Sequence, residues 1–238
     1  MMRRLTAALI LTAISGPAIA SDVSSKAKTA DYEFSYGYPA AATRIAGLKN
    51  WLDADRARLQ AKTARDGAAA RREARKAGYP YRRYSFDKSW KLVTQTPRFL
   101  SLSGDSYDYT GGAHGSPASY GLVWDKRAAR RLEPKSVFGS GAALQAAVRT
   151  DYCARLRAEQ RRRNQGSVSS MNVCPPVKDL TLLLGSSNGR AIDRIGLIAD
   201  PYVAGSYAEG AYEVTLPVTR SIIAAVKPEY RGAFAARR

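Results

Sequence analysis

Residues 99–109, FLSLSGDSYDY, contain the pattern that decides the fold. Leu100 and Leu102 alternate with Ser101 and Ser103, and a period of two is typical of a β-strand with one apolar face. The same alternation occurs in the flanking segments, in Tyr84, Phe86 and Trp90 before it and in Tyr120, Leu122 and Trp124 after it. We therefore predict three neighbouring strands, of which residues 99–109 form the second.

Helical periodicity is found before and after these strands. From Pro39 to Leu59, apolar residues recur at spacings of three and four, which predicts an amphipathic helix that extends as far as Ala77. Residues 66–76 contain almost no large apolar side chain, so this part of the helix is expected to project into solvent or to be loosely docked. Ser140 can cap a second helix.

The C-terminal part of the chain predicts a hairpin, a last strand and a short helix. The turn residues 186–189, SSNG, lie between the apolar segments 180–184 and 192–198, which favours a hairpin. A further strand is expected over residues 212–216, and a short helix is expected after Pro217. Strands and helices do not alternate as in βαβ units, so we predict an α+β fold with an antiparallel β-sheet packed with a few amphipathic helices.

Residues 1–20 have the layout of a cleavable secretory signal peptide. Two arginines precede an apolar run of about ten residues, and small residues end at Ala20. A membrane span needs about twenty apolar residues, so an uncleaved anchor is the less favoured alternative, and no membrane-spanning segment is expected later. We expect cleavage near Ala20, periplasmic or secreted localisation, a flexible leader over residues 21–38, and one domain over residues 39–232.

The two cysteines, Cys153 and Cys174, are an even pair in a chain that is expected to be exported. A disulfide across the polar loop between them is the prediction, and two buried free thiols are the alternative. One histidine and two cysteines are too few soft ligands for a zinc or iron–sulfur site of the usual kind. We therefore expect no metal and no cofactor.

The chain is strongly basic. It has 38 Lys and Arg against 20 Asp and Glu, and loss of the two arginines in residues 1–20 would lower its formal net charge by two, from +18 to +16. Arginines concentrate in residues 56–83 and 149–163. Such helices attract anionic polymers or lipid surfaces, although a solvated arginine-rich face explains the same pattern. No nucleic-acid-binding motif is recognised, so a specific nucleic-acid partner is not expected.

Two loops contain the most specific motifs: YDYTGGAHG over residues 107–115 and DPYVAGSYAEG over residues 200–210. The segments LVWD, LEPKSVF and YEVTLP follow them. Together they resemble the extracytoplasmic domain shared by RsiV-type anti-sigma factors and PdaC-type peptidoglycan deacetylases, a family that includes stand-alone secreted proteins of unknown function. The resemblance covers about residues 31–230. It implies one α+β domain with an N-terminal half over about 31–110 and a C-terminal half over about 111–230.

The departures from this family limit the implied function. RsiV-type proteins have a cytoplasmic segment and a membrane span, which this sequence does not show. The deacetylases have a separate metal-dependent domain that needs at least two histidines, whereas this chain has one. The resemblance therefore implies a non-catalytic module, and no catalytic residue is assigned.

Lysozyme binding is one behaviour of the family. A lysozyme of the common type is strongly basic and would be repelled by a chain of charge +16 unless it met an acidic patch. Acidic residues do gather around the two motif loops, namely Asp105, Asp108, Asp193, Asp200, Glu209 and Glu213. Lysozyme therefore remains a weak candidate partner.

The candidate binding residues lie in the motif loops and are Tyr107, Tyr109, Gly111, Gly112, His114, Tyr202 and Tyr207. A tyrosine has a flat apolar face and a polar tip, which suits stacking on sugars or anchoring a protein, although half-buried sheet positions would explain most of them. His114 is either a general base beside Ser101, Ser103 or Asp108, or a ring hydrogen-bonded within a tight loop.

These features predict a secreted or periplasmic, non-catalytic module that binds peptidoglycan, another cell-envelope component or a secreted protein through its tyrosine-bearing loops. Two alternatives remain open. One is an envelope-glycan hydrolase that uses His114, and the other is an electrostatic binder of anionic polymers or lipids through the arginine-rich helices.

Overall fold

A computed structural model of the chain describes residues 22–169, 171 and 174–237. Six strands form one sheet in which spatial order follows chain order: β1 (Val23–Lys28), β2 (Tyr32–Tyr38), β3 (Tyr84–Gln95), β4 (Phe99–Tyr109), β5 (Ser116–Asp125) and β6 (Arg130–Leu132). Three strands form a second, antiparallel sheet: β7 (Thr181–Gly185), β8 (Arg194–Ala199) and β9 (Tyr212–Pro217). The predicted signal peptide lies outside the described residues.

The helices pack against these two sheets. They are α1 (Ala40–Thr43), α2 (Ala46–Ala77), α3 (Gly141–Arg163), α4 (Arg220–Ala225) and α5 (Pro228–Arg231), with short 3-10 turns at Pro134–Val137, Val177–Asp179 and Tyr207–Glu209. No helix in the described part of the chain is both long enough and apolar enough to cross a membrane. The architecture confirms the α+β class.

The predicted antiparallel sheet is in fact two sheets, and the larger one is mixed. Strands β2 and β3 are parallel, with Phe34 opposite Phe86, whereas the other strand pairs of this sheet are antiparallel. Helices α1 and α2 lie between β2 and β3 in the chain. They allow β3 to start beside the start of β2, because a parallel pair needs a long crossover connection.

The prediction of a flexible leader over residues 21–38 is wrong for the part that the structure describes. Strand β2 buries Phe34, Tyr36 and Tyr38 against α2, and β1 pairs with β2 along its whole length. Strand β1 escaped detection because it is an edge strand of small and basic residues, in which only Val23 and Ala27 pack against the core.

Two hydrophobic cores lie on opposite faces of β4 and β5. On one face, Leu102 and Leu122 pack with Leu48 of α2. On the other face, Phe99 and Val123 join the core formed by α3 and the second sheet. Successive side chains of a strand point to opposite faces, so these strands serve both cores. The first sheet therefore continues to β6, and the predicted division near residue 110 falls between two paired strands.

The C-terminal part of α2 is docked on the turn between β1 and β2, contrary to the expectation that residues 66–76 project or dock loosely. A Cβ atom at Gly67 would lie 2.6 Å from the carbonyl oxygen of Asp31, so only a glycine allows this approach. Arg71 forms an ion pair with Asp31 at 3.0 Å. Small residues in this part of α2 let its backbone approach that of the β1–β2 turn. The periodicity of apolar residues does not predict such a contact.

Two local predictions in the C-terminal half are confirmed. The hydroxyl of Ser140 accepts a hydrogen bond of 3.0 Å from the amide of Ala143 and caps α3. Cys153 and Cys174 form a disulfide with Cα atoms 5.5 Å apart. The disulfide attaches α3 to the segment that leads into β7.

Candidate ligand-binding site

The two motif loops, distant in sequence, meet at an aromatic cluster. The rings of His114 and Tyr207 are stacked with centroids 4.0 Å apart. Both donate to the carbonyl oxygen of Gly115, the imidazole Nδ1 at 2.9 Å and the Tyr207 hydroxyl at 3.1 Å. The amide of Gly115 donates to the hydroxyl of Tyr107 at 2.9 Å. The backbone of Gly115 therefore holds three of the predicted binding residues, Tyr107, His114 and Tyr207.

Tyr202 extends this cluster at the surface. Its ring centroid is 5.8 Å from that of Tyr207, and 59% of the residue is exposed. It has a φ of 70°, a left-handed conformation that few non-glycine residues adopt. We call Tyr107, His114, Tyr202 and Tyr207 the tyrosine surface. Burial, followed by the neighbouring Tyr107 hydroxyl, raises the pKa of Tyr207, so its hydroxyl remains a hydrogen-bond donor at neutral pH.

Gly115 is a site residue that the sequence reasoning missed. A Cβ atom there would lie 2.4 Å from the ring of Tyr107, which is closer than any real contact. At Gly112, by comparison, the nearest atom would be 3.8 Å away. The third glycine of the first motif is therefore the one that the packing requires, and the motif spacing alone does not distinguish it.

Asp200 fixes the second motif loop to the first sheet. Its carboxylate accepts hydrogen bonds from the amide and the hydroxyl of Ser119 in β5, at 3.0 and 2.6 Å. The carbonyl of Ser119 in turn accepts from the hydroxyl of Thr181 in β7 at 2.9 Å. These contacts join both sheets next to the tyrosine surface.

Glu209 holds the other end of the same loop. Its carboxylate accepts hydrogen bonds from the Tyr212 hydroxyl at 2.5 Å, the Ser206 amide at 2.8 Å, and the side chains of Asn164 and Ser169 at 2.9 Å each. The Tyr212 hydrogen bond is the main reason that the pKa of Glu209 falls to about 2, and the other donors add to it. The loop is thus fixed by a carboxylate that stays ionised.

The structure separates two predicted glycines from the tyrosine surface. Gly111, with a φ of 88°, turns towards Arg82, and the carbonyl of Gly112 accepts from that guanidinium at 3.3 Å. Gly111 lines a different cavity of about 260 Å³, beside the C-terminal end of α2. Tyr109 lies in β4 opposite Ser85, two residues beyond Tyr107 and on the same strand face.

A groove of about 410 Å³ adjoins the tyrosine surface on the face of the first sheet away from α2. We call it the polar groove and define it by Ser35, Asp87, Ser89, Asp105 and Tyr107. The hydroxyl of Ser35 donates to Asp87 at 2.5 Å. Tyr107 belongs to both the groove and the tyrosine surface, so the two form one continuous region.

Beneath the groove, on the other face of the same strands, lies a buried ion pair. The ammonium of Lys88 contacts the carboxylate of Asp55 at 2.9 Å, and both side chains are about nine-tenths buried or more, with 7% and 6% exposed. Burial would raise the pKa of Asp55, but hydrogen bonds from Lys88 and Arg58 outweigh it and lower that pKa. The Lys88 ammonium also lies 4.5 Å from the ring centroid of Tyr120.

The predicted acidic patch is smaller than the sequence indicates. Asp200 and Glu209 are occupied by the hydrogen bonds that hold the second loop, and Asp193 accepts from the amide and hydroxyl of Ser187. Asp105 forms an ion pair with Lys91 at 3.2 Å. Most carboxylates that were counted towards a lysozyme contact therefore have internal partners.

Comparisons with known proteins agree with this fold. The family model described as Deacetylase PdaC matches residues 25–117, which contain the first motif and end before the second. The crystal structure of a DUF3298 family protein from Pseudomonas aeruginosa is similar with a TM-score of 0.56 and 18% identity, covering 91% of this chain and 96% of that chain. A DUF3298 family member from Bacteroides fragilis gives a TM-score of 0.51 and 14% identity, covering 89% and 94%. Comparison with curated proteins found no match.

Together these findings confirm the resemblance to the RsiV/PdaC-like domain. The similarity to the two solved structures establishes the fold. At these sequence identities it does not indicate an activity for this chain.

Proposed function

We propose that this chain, with its PdaC-like domain, is an exported, non-catalytic module that binds a saccharide component of the cell envelope, such as peptidoglycan. The tyrosine surface and the polar groove are the proposed binding region. The observation that carries the proposal is the stack of His114 on Tyr207, because it brings both motif loops into one exposed aromatic surface.

The chemistry of the region suits a polar ligand rich in hydroxyl groups. Exposed tyrosine faces can stack on the apolar face of a sugar ring, and their hydroxyls can bond to its polar edge. The adjoining groove supplies the hydroxyl of Ser89 and the carboxylates of Asp87 and Asp105. Each carboxylate has one internal partner, Ser35 and Lys91 respectively, and further acceptor positions. A few polar groups beside an aromatic wall are typical of small-ligand sites.

The contacts of His114 favour binding over the hydrolase alternative. Its Nδ1 donates to the carbonyl of Gly115 and one ring face is covered by Tyr207, so the ring is oriented as a wall of the surface. The hydrolase alternative needs a nucleophile within hydrogen-bond reach of the ring, and among the described hydrogen bonds none joins His114 to Ser101, Ser103 or Asp108.

Two experiments test the proposal on the chain from residue 21 onward. One is a calorimetric titration with soluble peptidoglycan fragments, and the other is co-sedimentation with insoluble peptidoglycan. The variant Tyr202→Ala is expected to weaken binding about tenfold or more, as for an aromatic anchor. Tyr79→Ala is the matched control, since Tyr79 is 53% exposed against 59% for Tyr202 and lies outside the region.

Binding that is equal in the wild type and in Tyr202→Ala would contradict the site. Absence of binding to any saccharide would contradict the proposed ligand. A parallel titration with lysozyme at low salt decides the protein-partner alternative, because binding to lysozyme alone would replace the saccharide as partner.

A further inference from the structure

A further cavity, of about 520 Å³, lies in the C-terminal half of the molecule. Arg155 of α3, Arg194 at the start of β8 and Arg237 near the C-terminus line it, together with Thr215 and Pro217. These arginines come from three separate parts of the chain. The fold therefore brings three guanidinium groups to one cavity, outside residues 25–117 that match the PdaC family.

The charges at this cavity are not balanced by the protein that the structure describes. No carboxylate is among the described residues that line the cavity, and the described ion pairs include neither Arg155 nor Arg237. Arg194 has only a long contact, 3.9 Å, to Asp193, whose carboxylate already accepts two hydrogen bonds from Ser187. Like charges that share a site without a counter-charge repel each other.

One nitrogen of Arg194 has no hydrogen-bond partner among the described residues. This atom, the Nε, is buried. A buried polar group without a partner costs free energy, and the cost is higher for a charged group. An anion in the cavity would supply the negative charge that the three guanidinium groups lack there.

The neighbouring residues decide whether Arg155 is available to this anion. Arg155 also borders a smaller cavity of about 310 Å³, which contains Glu159 and Glu213. Glu159 is held by Arg162 and Arg163 at 2.6 and 2.7 Å, while Glu213 is exposed on β9. Neither carboxylate forms a described ion pair with Arg155, so Arg155 is available to an anion in the larger cavity.

We infer that Arg155, Arg194 and Arg237 form a binding site for a phosphate group carried by a larger molecule. Guanidinium groups pair with phosphate oxygens through two parallel hydrogen bonds, and several of them can share one doubly charged group. The cavity is larger than a phosphate ion needs, which leaves room for part of its carrier. A phosphorylated saccharide and an anionic lipid headgroup offer the same chemistry.

Calorimetric titration with pyrophosphate at low ionic strength tests the site. Arg155→Gln and Arg237→Gln are each expected to weaken binding about tenfold, the usual effect of removing a charge-assisted hydrogen bond. Arg149→Gln is the matched control, because it removes the same charge from α3 at a position that does not line the cavity. It is expected to change binding less than about twofold.

Equal weakening in all three variants would overturn the site, since it would show an effect of net charge alone. Absence of pyrophosphate binding by the wild type would overturn it as well.

Two further binding experiments identify the molecule that carries the phosphate. One is a titration with glucosamine 6-phosphate in solution, and the other is co-sedimentation with vesicles that contain or lack phosphatidic acid, at physiological salt. Loss of binding in Arg237→Gln in either experiment supports the site, and binding in neither experiment overturns the inference that the phosphate has a carrier.

The phosphate site and the saccharide site can be tested independently. Tyr202→Ala leaves the arginines in place, and Arg237→Gln leaves the tyrosine surface in place. Failure of one binding assay therefore does not imply failure of the other.

Discussion

Polar side chains on the two faces of β3 lie in opposite environments, buried on one face and open to solvent on the other. On the face towards α2, Lys88 is enclosed with Asp55, and the Asp55 carboxylate also accepts from Tyr36 and Arg58. On the other face, Asp87 and Ser89 border an open groove. The enclosed pair has its partners within the protein, whereas the open face retains capacity for a ligand. Adjacent residues of one strand can thus have a structural and a binding role.

The largest expected effect comes from breaking the enclosed pair. Lys88→Ala leaves Asp55 buried without its main counter-charge, so the free energy of unfolding is expected to fall by about 3–5 kcal/mol. Chemical denaturation followed by tryptophan fluorescence measures this. Asp87→Ala, one residue away on the open face, is the control and is expected to cost less than about 1 kcal/mol. Equal losses for the two variants would contradict the difference between the faces.

An intermediate effect is expected at the glycine that supports the tyrosine surface. In Gly115→Ala the new methyl group overlaps the Tyr107 ring, so about 1–3 kcal/mol of stability should be lost and the aromatic cluster should shift. Gly112→Ala is the control, with its nearest neighbour at 3.8 Å. Thermal unfolding and the NMR shifts of His114 report the two effects. Unchanged stability and unchanged His114 shifts in Gly115→Ala would contradict the requirement for glycine at this position.

The smallest expected effect is the pH dependence contributed by Glu209. Because folding lowers its pKa from 4.5 to about 2, Glu209 stabilises the fold above pH 4.5, and this contribution is lost as the pH falls towards 2. The variant Glu209→Gln should therefore show a shallower loss of stability between these pH values. Glu213→Gln, an exposed site on β9, is the control. An unchanged slope in Glu209→Gln would contradict the role of its hydrogen bonds.

Local features were predictable from the sequence where a residue pattern is compatible with only one type of secondary structure. The period of two located β3 and β4, the SSNG turn located the β7–β8 hairpin, and Ser140 located the start of α3. Strand β1 was not predictable, because two small apolar residues give too weak a pattern, and the strand is stabilised mainly by its pairing with β2. The docking of α2 at Gly67 was missed for a similar reason, since a close backbone approach leaves no hydrophobic pattern.

The candidate site was predictable in its residue types and only partly in its arrangement. Tyrosines in two motif loops indicated a surface, and four of the seven candidates do form it. The separation of Gly111 and Gly112 follows from the turn after β4, where Arg82 rather than the second loop is the neighbour. Gly115 was overlooked because its role depends on the position of a ring eight residues earlier.

The sequence by itself determined the fold class, the strand and helix positions that have periodic patterns, the disulfide and the family resemblance. Each of these depends on residues that are near one another or on the chemistry of single side chains. Only the tertiary structure decided which polar groups are enclosed and which remain open, as at Lys88 and Asp87, and it alone placed Arg155, Arg194 and Arg237 at one cavity. The physical reason is that burial and charge balance depend on neighbours brought together by the fold, and sequence separation does not specify these neighbours.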